Sequence, residues 1–220
     1  MYGARPYQSV ADLPGTLAVF PLAGALLLPR GHLPLNIFEP RYLAMVDAAL
    51  AGDRLIGMIQ PAGVETAAAK PDLAAVGCAG RITLYRETED GRYLITLTGI
   101  CRFRVAREPD VTTPFRQVVP DFAPFAGDLV SAEGEGEFPR EHLLSALKGY
   151  LSHRDLKADW DSVTSAPAEA LVNALAMLCP FEPAEKQALL EALGWRERVE
   201  TLIALLEMAG TDAPGGATMN

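Results

Sequence analysis

Two periodicities divide the chain. Up to about residue 125 apolar positions come in short runs or alternate with polar ones; beyond about 138 they recur every three or four residues. LAVFPL (17–22) is a short apolar run interrupted by Pro21, which places it at an edge or a bend. LPLNIF (33–38) alternates, with Leu33, Leu35 and Ile37 on one face. Pro40 then stands where a helix accepts its first residue, because its missing N–H has no intrahelical partner there. Leu43, Val46 and Leu50 follow at helical spacing, so a helix is predicted over 40–51, ended by Gly52. RLIGMIQ (54–60) is the next strand.

RITLYRETEDGRYLITLTG (81–99) is the clearest local signal. Asp90-Gly91 between two strand-like runs marks a two-residue turn with both central residues at positive φ. That turn sets Leu84 opposite Leu97 and Arg86 opposite Ile95. Ile82, Leu84, Ile95 and Leu97 then share the core face, and Thr83, Tyr85, Glu87, Leu94, Thr96 and Thr98 share the other. CRFRVAR (101–107) and FRQVVPDF (115–122) continue in this style. Many short strands with one short helix predict a small barrel or a strongly bent sheet.

AGDLVSAEGEGE (126–137) is rich in glycine and acid and reads as a linker or exposed loop. Helices are predicted at 142–151, 169–178, 184–193 and 195–208, each with a proline or glycine start or stop signal. The organisation is α+β: a strand-rich domain over 12–125, a linker over 126–137, a helical bundle over 138–209 and a loose tail over 210–220.

Charge sharpens this division. Residues 1–125 carry 12 Lys+Arg and 12 Asp+Glu; residues 126–220 carry 7 and 16, the whole of the net −9. Such an acidic half repels phosphate, so nucleic acid is not an expected partner. Cys78, Cys101 and Cys179 are odd in number and lack C-x-x-C spacing, which points to a reducing compartment and buried thiols, with one Cys78–Cys101 bridge left open. The apolar run 17–28 is too short for a membrane span and sits too far in for a secretory signal. A cytoplasmic protein with no membrane association is expected.

Reactive chemistry has few places to reside. The lysines, Lys70, Lys148, Lys157 and Lys186, precede Pro, Gly, Ala and Gln, so no P-loop exists. No serine lies in G-x-S-x-G. A Cys–His pair drawn from the cysteines and His32, His142 or His153 has no local support; the cysteines read as core residues and the histidines as surface or capping ones. His142 and Cys179 lack ligand-spaced neighbours for zinc. Glu133, Glu135 and Glu137, spaced by glycine, read as a solvated loop rather than a cation site. Arg102, Arg104 and Arg107 around Phe103 are compatible with a nucleic-acid strand. Alternation instead makes Arg102 and Arg104 a solvated face.

FPLAGALLLPRGHLPLNIFEPRYLAMV (20–46) resembles the opening of the Lon protease N-terminal domain, a substrate-binding, PUA-like domain. VGCAGRI (76–82), DGRYLITLTGICRFRV (90–105) and FEPAEKQALLEAL with RVETLIALL (181–206) resemble its later parts, so the likeness runs from about 16 to 208. The resemblance implies a PUA-like β-barrel followed by a helical bundle, and recognition of unfolded or tagged polypeptide. In full-length Lon, separate ATPase and Ser-Lys peptidase domains do the chemistry. This chain stops before either would begin, so a stand-alone Lon-domain protein in proteostasis is expected. It would have no catalytic residue, cofactor or metal, and its partners would be unfolded or flexible polypeptide and a protease or chaperone.

Two readings attach to Glu39, Pro40, Arg41 and Tyr42: a strand-to-helix corner, with Glu39 at the positive end of the helix dipole, or a polar ligand clamp. The expected polypeptide-binding residues are Leu26, Leu27, Leu28, Tyr85 and Leu94, on an apolar surface or a strand edge. The alternatives are RNA binding, by analogy with the PUA fold, and a small hydrolase in the barrel–bundle cleft.

Overall fold

The structure, a computed structural model, describes residues 7–62, 71–130 and 138–211. The first half supplies strands β1 (Leu17–Pro21), β2 (His32–Ile37), β3 (Leu55–Pro61), β4 (Leu73–Glu87), β5 (Tyr93–Arg107) and β6 (Gln117–Asp121), with helix α1 (Pro40–Ala51) between β2 and β3. The second half supplies α2 (Arg140–His153), α3 (Trp160–Ser165), α4 (Ala168–Leu178), α5 (Pro183–Glu191) and α6 (Trp195–Thr211). Short 3-10 turns cover Val10–Asp12 and Ala123–Leu129. The fold is α+β. The six-residue α3 escapes the periodicity argument because it is too short to show a repeat; Asp159 caps it by accepting from Asp161 and Ser162 N–H.

The strands follow the order β2-β5-β4-β3-β1-β6, and β6 also pairs with β5. That second pairing closes β5, β4, β3, β1 and β6 into a ring. β1, expected at an edge or bend because of Pro21, is therefore an inner strand, parallel to β3 and antiparallel to β6. Pro21 pairs with Ile59 of β3 and is tolerated because β6 pairs only with Leu17 and Ala18, so no strand lies on its other side to need its missing N–H.

β4 and β5 are 15 residues each, longer than the ring needs. Irregularities between Ala79 and Gly80 and between Ile82 and Leu84 bend the pair. Beyond the bend β4 and β5 leave the ring and, with β2 added along β5, form a three-stranded flap. The hairpin loop differs from expectation. Thr88 N–H donates to the Arg92 carbonyl, Gly91 N–H donates to the Thr88 carbonyl, and only Gly91 has positive φ (76°). The loop is thus Glu89-Asp90-Gly91, with glycine in the left-handed position, and the register slips by one: Arg86 pairs with Leu94 and Tyr85 with Ile95. The bulge at Thr83 then places Ile82 opposite Leu97, where Leu84 was expected. Ile82, Ile95 and Leu97 are buried, whereas Leu84, expected in the core, is 54% exposed.

α1 covers the sheet with Tyr42, Met45, Val46 and Ala49, the Tyr42 ring lying 4.2 Å from that of Phe20. In the bundle α2 and α6 run together, with α4 and α5 packed on α6. Buried apolar residues of barrel and bundle form one continuous cluster, from Val19 and Phe103 to Leu143 and Leu206.

Candidate functional site

Two regions concentrate polar or exposed groups against the expectation of their elements: the seam between barrel and bundle, and the outer face of the flap. At the seam, Arg102 of β5 turns inward. Its guanidinium and backbone N–H bond the Asp128 carboxylate at 2.8–2.9 Å, and it also donates to the Leu190 and Ala192 carbonyls beside α5. Arg102 and Asp128 are both buried, which corrects two expectations. Arg102 is no part of a solvated strand face, because the turn Ala123–Leu129 and α5 cover β5 there. Asp128 is no part of an exposed linker, because Phe122, Phe125 and Asp128 turn together toward the barrel. Arg104 and Arg107 remain exposed.

Arg198 of α6 joins the same cluster. Burial, and then repulsion from Arg102, pull its pKa down to about 10, and one of its Nη groups has no hydrogen-bond partner among the described residues. The cluster extends through Arg30, which donates to Glu169 of α4 and at 2.6 Å to the Asp128 carbonyl. Gln60 of β3 accepts from Gly24 N–H at 3.0 Å and donates to the Pro183 carbonyl and Gln187. Asn173 donates to the Pro29 carbonyl at 3.0 Å and Lys186 to the Gly24 carbonyl at 2.9 Å. These bonds satisfy buried backbone of the 22–31 loop that would otherwise lose its water. They hold that loop between the two halves.

The loop's placement decides the fate of three expected binding residues. Leu26, Leu27 and Leu28 are 2%, 1% and 0% exposed. They are core residues, not surface ones. A Cβ on Gly80 would come within 2.6 Å of Leu27, and one on Gly99 within 2.0 Å of the Leu28 carbonyl, so both strands need glycine where the loop crosses them.

The other two, Tyr85 and Leu94, are on the flap but on opposite faces, because of the one-residue slip. Paired residues share a face. The inner face carries Ile37, Ile95, Tyr93 and Tyr85, the two tyrosine rings edge to face at 5.1 Å. Tyr93 bonds to Asp47 of α1, and that bond, more than burial, raises its pKa to about 12. The outer face carries Pro34 and Asn36 of β2, Leu94 and Thr96 of β5, and Leu84 and Arg86 of β4. Leu94 and Thr96 are half-buried and the others exposed. Thr83, Thr98 and His32 line its base, Thr98 Oγ1 lying 3.0 Å from both the Thr83 hydroxyl and His32 Nδ1.

Glu39 and Arg41 close the β2–α1 corner. Arg41 donates to the Glu39 carboxylate at 2.9 Å and stacks its guanidinium over Tyr42, while the Glu39 carbonyl accepts from Tyr42 and Leu43 N–H. Pro40 is the first helical residue.

The thiols are buried, whereas His32, His142 and His153 are exposed. Cys78, Cys101 and Cys179 are buried, and burial pushes Cys101 up to about 12, Cys179 to about 11 and Cys78 well above the usual thiol value. Cys101 donates to the Phe125 carbonyl. His32 and His142 are exposed and meet Thr98 and Glu207. Among the described residues no His, Cys, Asp and Glu cluster could hold a metal, and Glu133, Glu135 and Glu137 lie outside those residues. No helix of the described residues is long and apolar enough to cross a membrane.

Comparison with known proteins gives a consistent result. The chain is 26% identical to Lon protease 2 of Thermus thermophilus over 214 residues, 89% of this chain and 24% of that protein. It is 26% identical to Escherichia coli K12 Lon protease over 199 residues, 87% of this chain and 24% of that protein. The chain thus spans about a quarter of these relatives' length. A Lon N-terminal domain protein from Xanthomonas campestris superposes with a TM-score of 0.58 at 25% identity, covering 86% of this chain and 97% of that one. The N-terminal domain of Mycobacterium avium complex Lon protease shares the fold, with a TM-score of 0.59 at 17% identity, covering 87% and 97%. The family model for the substrate-binding domain of ATP-dependent protease La (LON) matches residues 16–208, and the chain belongs to that family.

Proposed function

We propose that this chain holds flexible or unfolded polypeptide on the outer face of the flap, with no bond-breaking chemistry of its own. The observation that carries the reading is that face: a sheet surface open to water, with Leu84 and Pro34 exposed and Leu94 half-buried among threonines. Apolar groups set in a polar rim suit weak, adaptable contact with side chains of many kinds. Family membership supplies the kind of ligand. Thiols kept neutral by burial favour binding over nucleophilic catalysis, since the thiolate is the nucleophile. The acidic second half disfavours RNA. A protease or chaperone that receives the held segment completes the reading.

The test is fluorescence anisotropy of a labelled, reduced and carboxymethylated protein that cannot refold, titrated with the full chain. Micromolar binding is expected, lost in Leu84→Asp and kept in Leu156→Asp, a control at another exposed leucine. Absence of binding at high micromolar concentration, or equal binding by both variants, overturns the proposal.

A further inference from the structure

The flap has two outer edges, and they are not equivalent. Residues facing each other across antiparallel strands alternate between pairs that exchange both backbone hydrogen bonds and pairs that exchange none. The Thr88 N–H to Arg92 carbonyl bond, 2.8 Å, fixes that alternation for β4 and β5. Arg86 with Leu94 and Leu84 with Thr96 exchange bonds; Glu87 with Tyr93 and Tyr85 with Ile95 do not. Tyr85 and Glu87 therefore turn their N–H and C=O groups away from β5. β3 reaches only as far as Arg81 on that side, and Thr83 through Glu87 are all exposed. On the opposite edge the Gly99 N–H to Gly31 carbonyl bond, 2.9 Å, fixes the alternation for β5 and β2. There His32, Pro34 and Asn36 point outward, and Pro34, at the centre, has no N–H to offer. One edge is blunted by proline; the other still presents a donor–acceptor row that an extended backbone complements.

Arg86 decides what kind of strand fits. Two copies of β4 paired antiparallel through both Tyr85 and Glu87 would set Arg86 opposite Arg86 at the close, non-bonded spacing, where like charges repel. Arg86 has no ion-pair partner among the described residues. Its neighbour on the same face of β4 is the exposed Leu84.

We propose that the outer edge of β4, Thr83–Glu87, takes an extended segment of a partner polypeptide as an additional antiparallel strand, with a carboxylate of that segment opposite Arg86 and an apolar residue two positions later opposite Leu84. This rests on the polypeptide-binding reading above and adds to it the edge, the direction and the side-chain chemistry of the partner. Backbone bonds at Tyr85 and Glu87 supply sequence-tolerant affinity, and Arg86 and Leu84 supply selection.

The probe is a labelled nine-residue peptide of alternating threonine and valine with a central aspartate followed two positions later by leucine, titrated with the full chain. Replacing the aspartate with lysine is expected to weaken binding about threefold, the scale of a cross-strand charge pair. Arg86→Glu is expected to reverse that ranking. N-methylation of the two peptide amides that face Tyr85 and Glu87 is expected to cost about tenfold or more, and N-methylation of the intervening amide to cost little. Tyr85→Pro, which removes only an outward N–H from the backbone, binds more weakly than Tyr85→Ala, which keeps it. Peptide binding indifferent to the position of N-methylation and to the charge at residue 86 overturns strand addition while leaving the polypeptide-binding reading standing. Failure of both this peptide and the unfolded protein to bind removes both.

Discussion

Arg102 and Leu84 lie on neighbouring strands of one sheet, yet Arg102 is 3% exposed and Leu84 is 54% exposed. Each inverts the usual preference of its side chain, and the inversions have different physics. Arg102 is affordable because Asp128 and two backbone carbonyls meet its guanidinium, so the charge leaves water already compensated. Leu84 is exposed because a bulge at Thr83 turns it off the core face, and nothing compensates it. A buried, fully engaged polar group is a joint between elements. An exposed, unengaged apolar group beside an unpaired strand edge is a surface held in reserve. The contrast teaches that this fold uses buried polar groups to fix barrel to bundle and leaves apolar groups of its flap exposed.

The strongest way to break the comparison is at the joint. Arg102→Ala leaves the Asp128 charge buried without its partner, so a loss of about 3–5 kcal/mol in unfolding free energy is expected. Replacing both, as Arg102→Met with Asp128→Leu, removes the buried charges together and is expected to recover most of that loss. Chemical denaturation of the two variants measures both. A single variant as stable as the parent chain would show that the seam is no joint.

The thiols beside the seam offer a second, smaller test. Their folded pKa values lie above the unfolded value, to about 12 for Cys101 and about 11 for Cys179, with Cys78 raised as well, all chiefly through burial. A raised thiol pKa means the folded state keeps a proton that the unfolded state gives up, so this contribution is complete below the ordinary thiol pKa and drains away as pH rises above it. Each thiol held protonated steepens the fall by up to about 1.4 kcal/mol per pH unit. Lys186, whose pKa burial lowers, works in the opposite sense and offsets part of the slope at the alkaline end. Unfolding free energy is therefore expected to decline from about pH 9, and the decline to shrink in Cys101→Ala. A flat profile between pH 8 and 10 would contradict the buried-thiol account.

How much of this was legible in the sequence follows from the range of each interaction. Helix α1 was readable because Pro40, the spacing of Leu43, Val46 and Leu50, and Gly52 all act within a few residues, and α1 runs Pro40–Ala51 as expected. The Lon-like motif was readable for the same reason, being contiguous. The hairpin lies where Asp90-Gly91 marks it, but Asp90-Gly91 serves a three-residue loop as readily as a two-residue one, and the two-residue register puts Leu84 and Tyr85 on the wrong faces. The seam was not readable. Arg102 meets Asp128 across 26 residues and Leu190 across 88, and Gln60 meets Pro183 across 123. No periodicity carries pairings of that length. The one local hint was Phe122, Phe125 and Asp128 spaced by threes, which marks a helical turn with an acid on its buried side. Leu26, Leu27 and Leu28 failed as surface candidates because a loop held by side chains from three other elements, β3, α4 and α5, has no signature of its own.

The smallest expected effect sits on the flap, and its smallness is informative. Leu84 is more than half exposed and pairs with Thr96 through backbone alone, so Leu84→Asp removes little buried apolar area. Its effect on unfolding free energy is expected to stay within about 0.5 kcal/mol, the range of surface substitutions that touch no special feature. Leu97→Asp, on the neighbouring strand and next to Leu84's partner Thr96 but 0% exposed, would by contrast bury a carboxylate in the same sheet and unfold the chain. A residue that costs the fold almost nothing and costs polypeptide binding nearly everything is what a recognition surface requires. If Leu84→Asp instead destabilised the chain as Arg102→Ala does, the flap would be part of the frame, and the division between joint and surface would fail at the point where it is drawn most sharply.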